Sequence, residues 1–195
     1  MIDLEREKQN FKDHVATFTD YGNIKILDFK NPNNNEYRIR FLFEQDYCRL
    51  HISGDLGELV AVNYNNMTFE GFKDFVNNIG YFNEKISCHD RRIYTYDEAE
   101  AKKDLKEILE EEEILDDILK HDRYDWETDE DKLDEFYDSV LEDFSEDTGI
   151  SSKGYDVLSG YLTDVGEFVG NIGKQPTGIL DLYMLAFKLA MQQLS

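Results

Sequence analysis

The sequence predicts an α+β fold: a small antiparallel β-meander with packed helices, an acidic helical arm and C-terminal helices. Between residues 37 and 64, apolar and polar residues alternate in three short runs, which is typical of half-buried strands. The turns between these runs are only a few residues long, and such short connections require antiparallel pairing. Over much of the remaining chain, apolar residues recur at the spacing of amphipathic helices.

The first half of the chain is predicted to build the sheet. Apolar residues at spacings of seven, four and three predict an amphipathic helix over residues 3–17, through Leu4, Phe11, Val15 and Phe18. Alternation and turn residues then predict four strands, at residues 23–29, 37–43, 48–52 and 58–64. Thr68 is expected to cap a short helix that packs on this sheet.

The second half of the chain is predicted to be helical. Thr95 and Glu98 have the spacing of a capping box, which predicts a charged helix reaching to about residue 120. Thr128 is expected to cap a second helix over residues 129–147, with an apolar stripe along one side. Two more helices are predicted at residues 156–172 and 178–194, and the last is apolar enough to lie in the core.

The predicted organisation is one compact domain with an appendage. Residues 1–96 are predicted to form the α+β sheet region, 97–148 the acidic helical arm, and 149–195 the C-terminal helices that complete the core. The chain has two cysteines, its first residues do not resemble a signal peptide, and no apolar stretch approaches the roughly 20 residues that span a bilayer. We therefore expect a cytoplasmic protein that makes no contact with membranes.

The net charge of −22 is concentrated in one segment. Residues 97–147 contain 24 acidic and 6 basic residues, whereas residues 1–96 contain 15 acidic and 12 basic residues. Such a field attracts basic surfaces and repels nucleic acids and anionic membranes. The sequence therefore predicts a basic protein partner and no direct binding of nucleic acid, and it is also compatible with a homo-oligomer.

The acids are densest from Asp104 to Asp117, where eight of 14 positions are acidic. At the rise of an α-helix this is one carboxylate per about 2.6 Å, comparable to the one phosphate per roughly 1.7 Å of duplex DNA. Like charges at helical spacing destabilise their own helix, so this density favours an external use. The residues predicted to bind the partner are Glu110, Glu111, Glu113, Asp116, Asp117, Asp122, Asp125, Trp126, Glu127, Asp129, Glu130, Asp131 and Asp134.

Other interpretations of the same residues stay open. The acids could form a solvated helix face, and Tyr124 and Trp126 could pack a turn instead of anchoring a partner. Residues 125–136 place acids at alternate positions, as the calcium loop of an EF-hand does. That loop needs glycine at its sixth position and glutamate at its twelfth, where this chain has Glu130 and Phe136.

The chain contains no pattern that is typical of a catalytic or cofactor site. Cys48 and His51 would face opposite sides of a strand, which argues against a zinc site. Phosphate-binding loops, dinucleotide fingerprints and nucleophile elbows are missing from the sequence. We therefore expect no catalytic residues, no cofactor and no metal, although a hydrolase with paired carboxylates stays open. Arg38, Arg40 and Arg49 are expected to share the polar face of the sheet.

Short motifs over about half of the chain carry a resemblance to a known group of proteins. They are Tyr37-Arg-Ile-Arg-Phe-Leu-Phe, Ile52-Ser-Gly-Asp-Leu-Gly57, Phe69-Glu-Gly-Phe, Gly80-Tyr-Phe and the closing Leu-Ala-Met-Gln-Gln-Leu194. The chain resembles small acidic phage-encoded inhibitors of host defence, of the anti-CRISPR and DNA-mimic antirestriction types. This resemblance implies that the basic partner is a bacterial nucleic-acid enzyme, first of all a CRISPR effector nuclease, whose positively charged channel holds nucleic acid.

The leading hypothesis is therefore an inhibitor that mimics DNA and blocks DNA binding by a defence nuclease in the cytoplasm of an infected bacterial host. A second hypothesis is a phage assembly or chaperone-like factor whose acids keep a basic partner in solution. A third is a metal-dependent hydrolase. The identity of the protein that co-purifies from the host distinguishes the first two, and metal-dependent turnover would indicate the third.

Overall fold

The computed structural model describes residues 2–112, 114–120 and 128–195. Its strands are β1 Val15–Asp20, β2 Ile24–Lys30, β3 Ile39–Glu44, β4 Arg49–Gly54, β5 Leu59–Val62, β6 Ile86–His89, β7 Tyr94–Tyr96 and β8 Lys174–Pro176. Its helices are α1 Leu4–Glu7, α2 Lys73–Val76, α3 Ile79–Asn83, α4 Glu98–Glu111, α5 Leu115–Lys120, α6 Asp129–Val140, α7 Ser152–Ser159 and α8 Ile179–Leu194. The predicted α+β class is confirmed, because strands β1 to β6 form an antiparallel meander in chain order.

The chain divides into two compact units, Met1–Ile93 with Thr177–Ser195, and Tyr94–Pro176. This division differs from the predicted one at residues 96 and 148. Of the C-terminal part, only α8 and the residues next to it belong with the sheet, whereas residues 149–176 pack with the acidic helices. The acidic helices therefore belong to a compact unit that has a core of its own.

The first unit buries one face of the six-stranded sheet against helices. Alternate residues of the central strands, such as Phe29, Phe41 and Phe43, are fully buried because successive strand side chains point to opposite faces. Helix α8 covers them, and the rings of Phe41 and Phe187 meet edge to face at 5.4 Å between centroids. The opposite face of the sheet carries polar residues, so the period-two prediction for β3 and β4 is confirmed.

The predicted helix over residues 3–17 is wrong beyond its first turns. Helix α1 ends at Glu7, a 3-10 turn runs from Lys8 to Phe11, and β1 begins at Val15. The β-branched residues Val15, Thr17 and Thr19 favour a strand, and all of β1 pairs with β2. The side chain of Phe18 stacks on Phe69 at 4.4 Å between ring centroids. Tertiary packing therefore favours a strand here over the predicted helix.

The second unit packs α4, α6 and α7 around an apolar core. Residues of all three helices contribute to it, among them Leu105, Leu109, Phe136, Val140 and Leu158. The two-stranded sheet of β7 and β8 joins the two ends of this unit. Each acidic helix thus buries its apolar stripe and turns its carboxylates outward.

Three boundaries of the acidic helices differ from prediction. Asp97, not Thr95, caps α4, because its carboxylate accepts the backbone N–H of Glu100 at 2.9 Å. Thr95 lies in β7 instead. Helix α4 ends at Glu111, with α5 as a separate helix, and α6 ends at Val140 instead of continuing to residue 147.

The predicted helix over residues 156–172 is also wrong. Helix α7 starts earlier, at Ser152, where the hydroxyl of Ser151 accepts the backbone N–H of Gly154 at 3.2 Å. It ends at Ser159, and the residues after it form 3-10 turns at Val165–Glu167 and Val169–Asn171. Gly166 and Gly170 lie in these turns, and helix interiors disfavour glycine. Within the part of the chain that the structure describes, no helix has the length and apolar character needed to cross a membrane.

Candidate partner-binding surface

The second unit carries nearly all of the net charge. Residues 94–176 contain 27 acidic and 8 basic residues, a net charge of −19, whereas the first unit contains 16 acidic and 13 basic residues, a net charge of −3. The division by packing therefore coincides with the division by charge. Any partner that recognises negative charge meets it on the second unit.

The structure places the predicted binding residues in two groups. One group lies on α4 and α5: Glu110, Glu111, Asp116 and Asp117. The other lies on α6: Asp129, Glu130, Asp131 and Asp134. All eight are exposed to solvent. The remaining predicted residues lie outside the described part of the chain: Glu113, Asp122, Asp125, Trp126 and Glu127. The EF-hand-like stretch at residues 125–136 is likewise only partly described.

Helix α4 presents acids on the side opposite its buried stripe. Ala101, Leu105 and Leu109 are fully buried at four-residue spacing, which fixes the rotation of the helix. Glu107, Glu110 and Glu111 are therefore exposed. Asp104 is not part of this exposed set, because its carboxylate accepts the backbone N–H of Gly173 at 2.8 Å and so serves the fold.

Helix α6 repeats the arrangement with a different cap. Its buried residues are Phe136, Tyr137 and Val140, and the exposed side carries acids at four-residue spacing: Glu130, Asp134 and Asp138. Burial raises the pKa of the Tyr137 phenol. Glu107 and Asp138 were not among the residues predicted to bind the partner, although helical spacing from Glu111 and Asp134 gives both positions.

Thr128 caps α6 as predicted, and Asp131 completes the capping box. The Thr128 hydroxyl accepts the backbone N–H of Asp131 at 3.2 Å, and the Asp131 carboxylate accepts the backbone N–H of Thr128 at 3.0 Å. The hydroxyl and backbone N–H of Thr128 hold the pKa of Asp131 below its usual value. Asp131 therefore stabilises the start of the helix, where a negative charge also complements the helix dipole.

Lys102 connects the two acidic helices. Its ammonium group lies 2.9 Å from the Asp134 carboxylate and 5.2 Å from the centroid of the Tyr137 ring. The hydrogen bond to Asp134 is the main cause of a raised Lys102 pKa, and the nearby charge of Asp138 contributes to the same shift. One cation thus offsets part of the repulsion between α4 and α6.

Other lysines neutralise further acids within the same unit. Lys120 lies 3.0 Å from Asp116, and Lys153 lies 2.7 Å from Glu142 and 2.8 Å from Asp143. In the described part of the chain, several exposed acids make neither a hydrogen bond nor an ion pair through their side chains. We define the acidic surface as these residues together with Asp134: Glu107, Glu110, Glu111, Asp117, Glu130, Asp134 and Asp138.

Comparisons with known proteins return nothing for this chain: no family model, no curated protein and no solved structure matches it. Within the described residues, no group of three or more His, Cys, Asp and Glu side chains is arranged to hold a metal ion. The fold and this surface thus define an α+β protein whose second unit is strongly acidic.

Proposed function

We propose that this protein binds a basic, nucleic-acid-binding protein through the acidic surface of its second unit and blocks the nucleic-acid site of that partner. In its most specific form, the proposal is a phage-encoded inhibitor of a CRISPR effector nuclease in the cytoplasm of an infected bacterial host. The observation that carries the general form is that, among the described residues, every carboxylate of the acidic surface except Asp134 lacks an ion-pair partner, while Lys120 and Lys153 are paired with other acids of the unit. The choice of a CRISPR nuclease rests on the sequence motifs that resemble phage-encoded inhibitors of host defence.

Electrostatics supports this use of the surface. Like charges four residues apart on a helix destabilise it by a few tenths of a kcal/mol per pair, and Glu107, Glu111, Glu130, Asp134 and Asp138 include such pairs. A positively charged channel would relieve this repulsion, as it does for the phosphates of nucleic acid. Long-range attraction would also raise the rate of association at low salt.

The decisive experiment compares two variants with the same change in charge. In the first, Glu110→Gln, Glu111→Gln and Asp117→Asn neutralise the acidic surface. In the control, three exposed acids of the first unit that make no side-chain ion pair with any described residue are neutralised: Glu36→Gln, Asp46→Asn and Asp74→Asn. Both proteins are titrated into DNA-cleavage reactions of purified CRISPR effector nucleases and of restriction enzymes.

We expect the parent and the control to inhibit DNA cleavage by the nuclease, and the first variant to inhibit it at least about ten-fold more weakly. Association should slow steeply as salt rises, and loading the nuclease with target DNA beforehand should protect it. Equal inhibition by both variants, or salt-insensitive binding to a DNA-loaded nuclease, would contradict mimicry. Capture of a phage structural protein in place of a nuclease would favour the assembly or chaperone-like function.

A further inference from the structure

A groove of opposite polarity lies on the outward face of the sheet in the first unit. Its volume is about 350 Å³, and its polar lining consists of Asp28, Lys30, Arg38, Arg40, Ser53 and Glu58. This volume falls at the lower end of the range for small-molecule sites. Three of the six polar side chains are cationic, in a protein whose net charge is −22.

Strand register places the cations of this groove side by side. Asp28, Arg40 and Ser53 form one row across β2, β3 and β4. The buried residues Phe29 and Ile39 face each other at the next position, so Lys30 of β2 and Arg38, directly before β3, follow on the outward face. Like charges on neighbouring strands destabilise a sheet unless something compensates them.

The acids of the groove neutralise these two cations only in part. Asp28 is occupied by Arg40, whose guanidinium donates to both of its oxygens at 2.7 and 2.9 Å. Within the described residues, the side chains of Lys30 and Arg38 make neither an ion pair nor a hydrogen bond. The groove therefore retains a local excess of positive charge, because Glu58 offsets only one of the two.

The backbone holds Arg38 in place although it precedes β3. Its carbonyl oxygen accepts the backbone N–H of Asp55 at 2.9 Å. Gly54 permits this approach, since a Cβ atom there would lie 2.1 Å from the same carbonyl oxygen. The main-chain position of Arg38 is thus built into the β3–β4 pairing, so a ligand does not have to order the backbone there.

We propose that this groove is a binding site for a phosphate group, held between Lys30 and Arg38. The Arg38 guanidinium offers paired N–H donors that match two phosphate oxygens, and Lys30 adds a compact positive charge. The half-buried Ser53 hydroxyl, one row away, can donate a further hydrogen bond. The site belongs to the first unit alone, so it is independent of the acidic surface and of the function proposed for it.

Inorganic phosphate is the probe that tests the site. A ligand that binds the folded state raises its thermal stability, so melting is followed against phosphate concentration, with sodium chloride at matched ionic strength as reference. The test variant is Lys30→Gln with Arg38→Gln. The control is Lys12→Gln with Lys73→Gln, which removes two exposed lysines of the same unit that lie outside the groove. General salt effects act on both variants alike.

The expected result is a phosphate-dependent rise in melting temperature for the parent and the control. In the test variant, the dissociation constant for phosphate should rise by about ten-fold or more. Amide chemical shifts of the parent should also change on phosphate addition at Lys30, Arg38–Arg40 and Ser53, which requires no variant to fold. Stabilisation no larger than that by chloride, equal responses of both variants, or shift changes away from the groove would each overturn the proposal.

Discussion

The ammonium group of Lys102 lies 2.9 Å from the carboxylate of Asp134 and joins α4 to α6. These two helices carry most of the acidic surface, so their carboxylates repel one another. The positive charge of Lys102 reduces this repulsion. The pair is half exposed, so its energy is limited by solvent screening. Its effect is to hold the two rows of carboxylates in one fixed arrangement, which a rigid binding surface requires.

Replacing Lys102 by Gln should lower the free energy of unfolding by up to about 1 kcal/mol, the usual upper value for an exposed ion pair. Urea denaturation at low salt measures this change. Lys106→Gln is the matched control, because Lys106 is exposed on the same helix and makes no ion pair in the described part of the chain. Equal losses in the two variants would show that general charge, and not the pair with Asp134, stabilises the unit.

The capping box of α6 gives a second prediction. Thr128→Ala should destabilise the start of the helix by about 1 kcal/mol, the typical cost of losing an N-cap side chain. Hydrogen exchange of the first amides of α6, including that of Asp131, should become faster. Thr128→Ser keeps the hydroxyl and should keep the protection. Unchanged exchange in the alanine variant would mean that packing of Phe136 and Tyr137 alone fixes this helix.

The sequence was most informative where one local rule agreed with the packing. Alternation predicted β3 and β4, because Ile39, Phe41 and Phe43 really do share one buried face. The cap at Thr128 was also predicted, since both its donor and its acceptor lie within three residues of it. Such short-range signals need no knowledge of the rest of the fold.

Prediction failed where two local rules competed or where the partner was distant in sequence. Phe11, Val15 and Phe18 fit a helical stripe, but pairing with β2 and the contact of Phe18 with Phe69 favour a strand. Leu105 and Leu158 belong to the same hydrophobic core of the second unit, and no local sequence pattern predicts that these two residues share a core. The groove at Lys30 and Arg38 depends on strand register, which the sequence did not specify for these two residues.

His14 predicts a pH dependence of stability. The ring is 4% exposed, lies about 5 Å from the rings of Phe11 and Phe29, and its nitrogens have no hydrogen-bond partner among the described residues. Burial lowers the pKa of His14, although the backbone of Tyr37 and Glu36 and the charge of Asp13 oppose the shift. The unfolded chain therefore binds a proton more readily than the folded chain does.

Stability should consequently fall as pH drops from about 6.5, the unfolded-state pKa, towards the lower folded-state value. The contribution of this one group approaches about 1.4 kcal/mol per pH unit at most. Urea denaturation from pH 7.5 downwards measures it, as the difference in slope between the parent and His14→Leu. His89→Gln, which changes an exposed histidine, should keep the slope of the parent. A parent-like slope in His14→Leu would exclude His14 as the cause.

The last prediction concerns the open edge of the sheet at β1, where Gln193 of α8 takes the place of a neighbouring strand. Its side-chain oxygen accepts the backbone N–H of Ala16 at 2.9 Å, and its amide donates to the carbonyl of His14 at 2.9 Å. An unpaired strand edge is a template for pairing with another chain, so this amide protects the edge.

Gln193→Ala should lower the free energy of unfolding by about 1 kcal/mol and should promote concentration-dependent self-association through β1. Gln193→Glu loses the bond to His14 but places a charge at the edge, so it should be destabilised without associating more than the parent. Gln192→Ala, one position earlier on α8 and exposed, is the control and should match the parent. Sedimentation velocity over a range of concentrations separates these outcomes, and association of the glutamate variant equal to that of the alanine variant would show that edge pairing is not the mechanism.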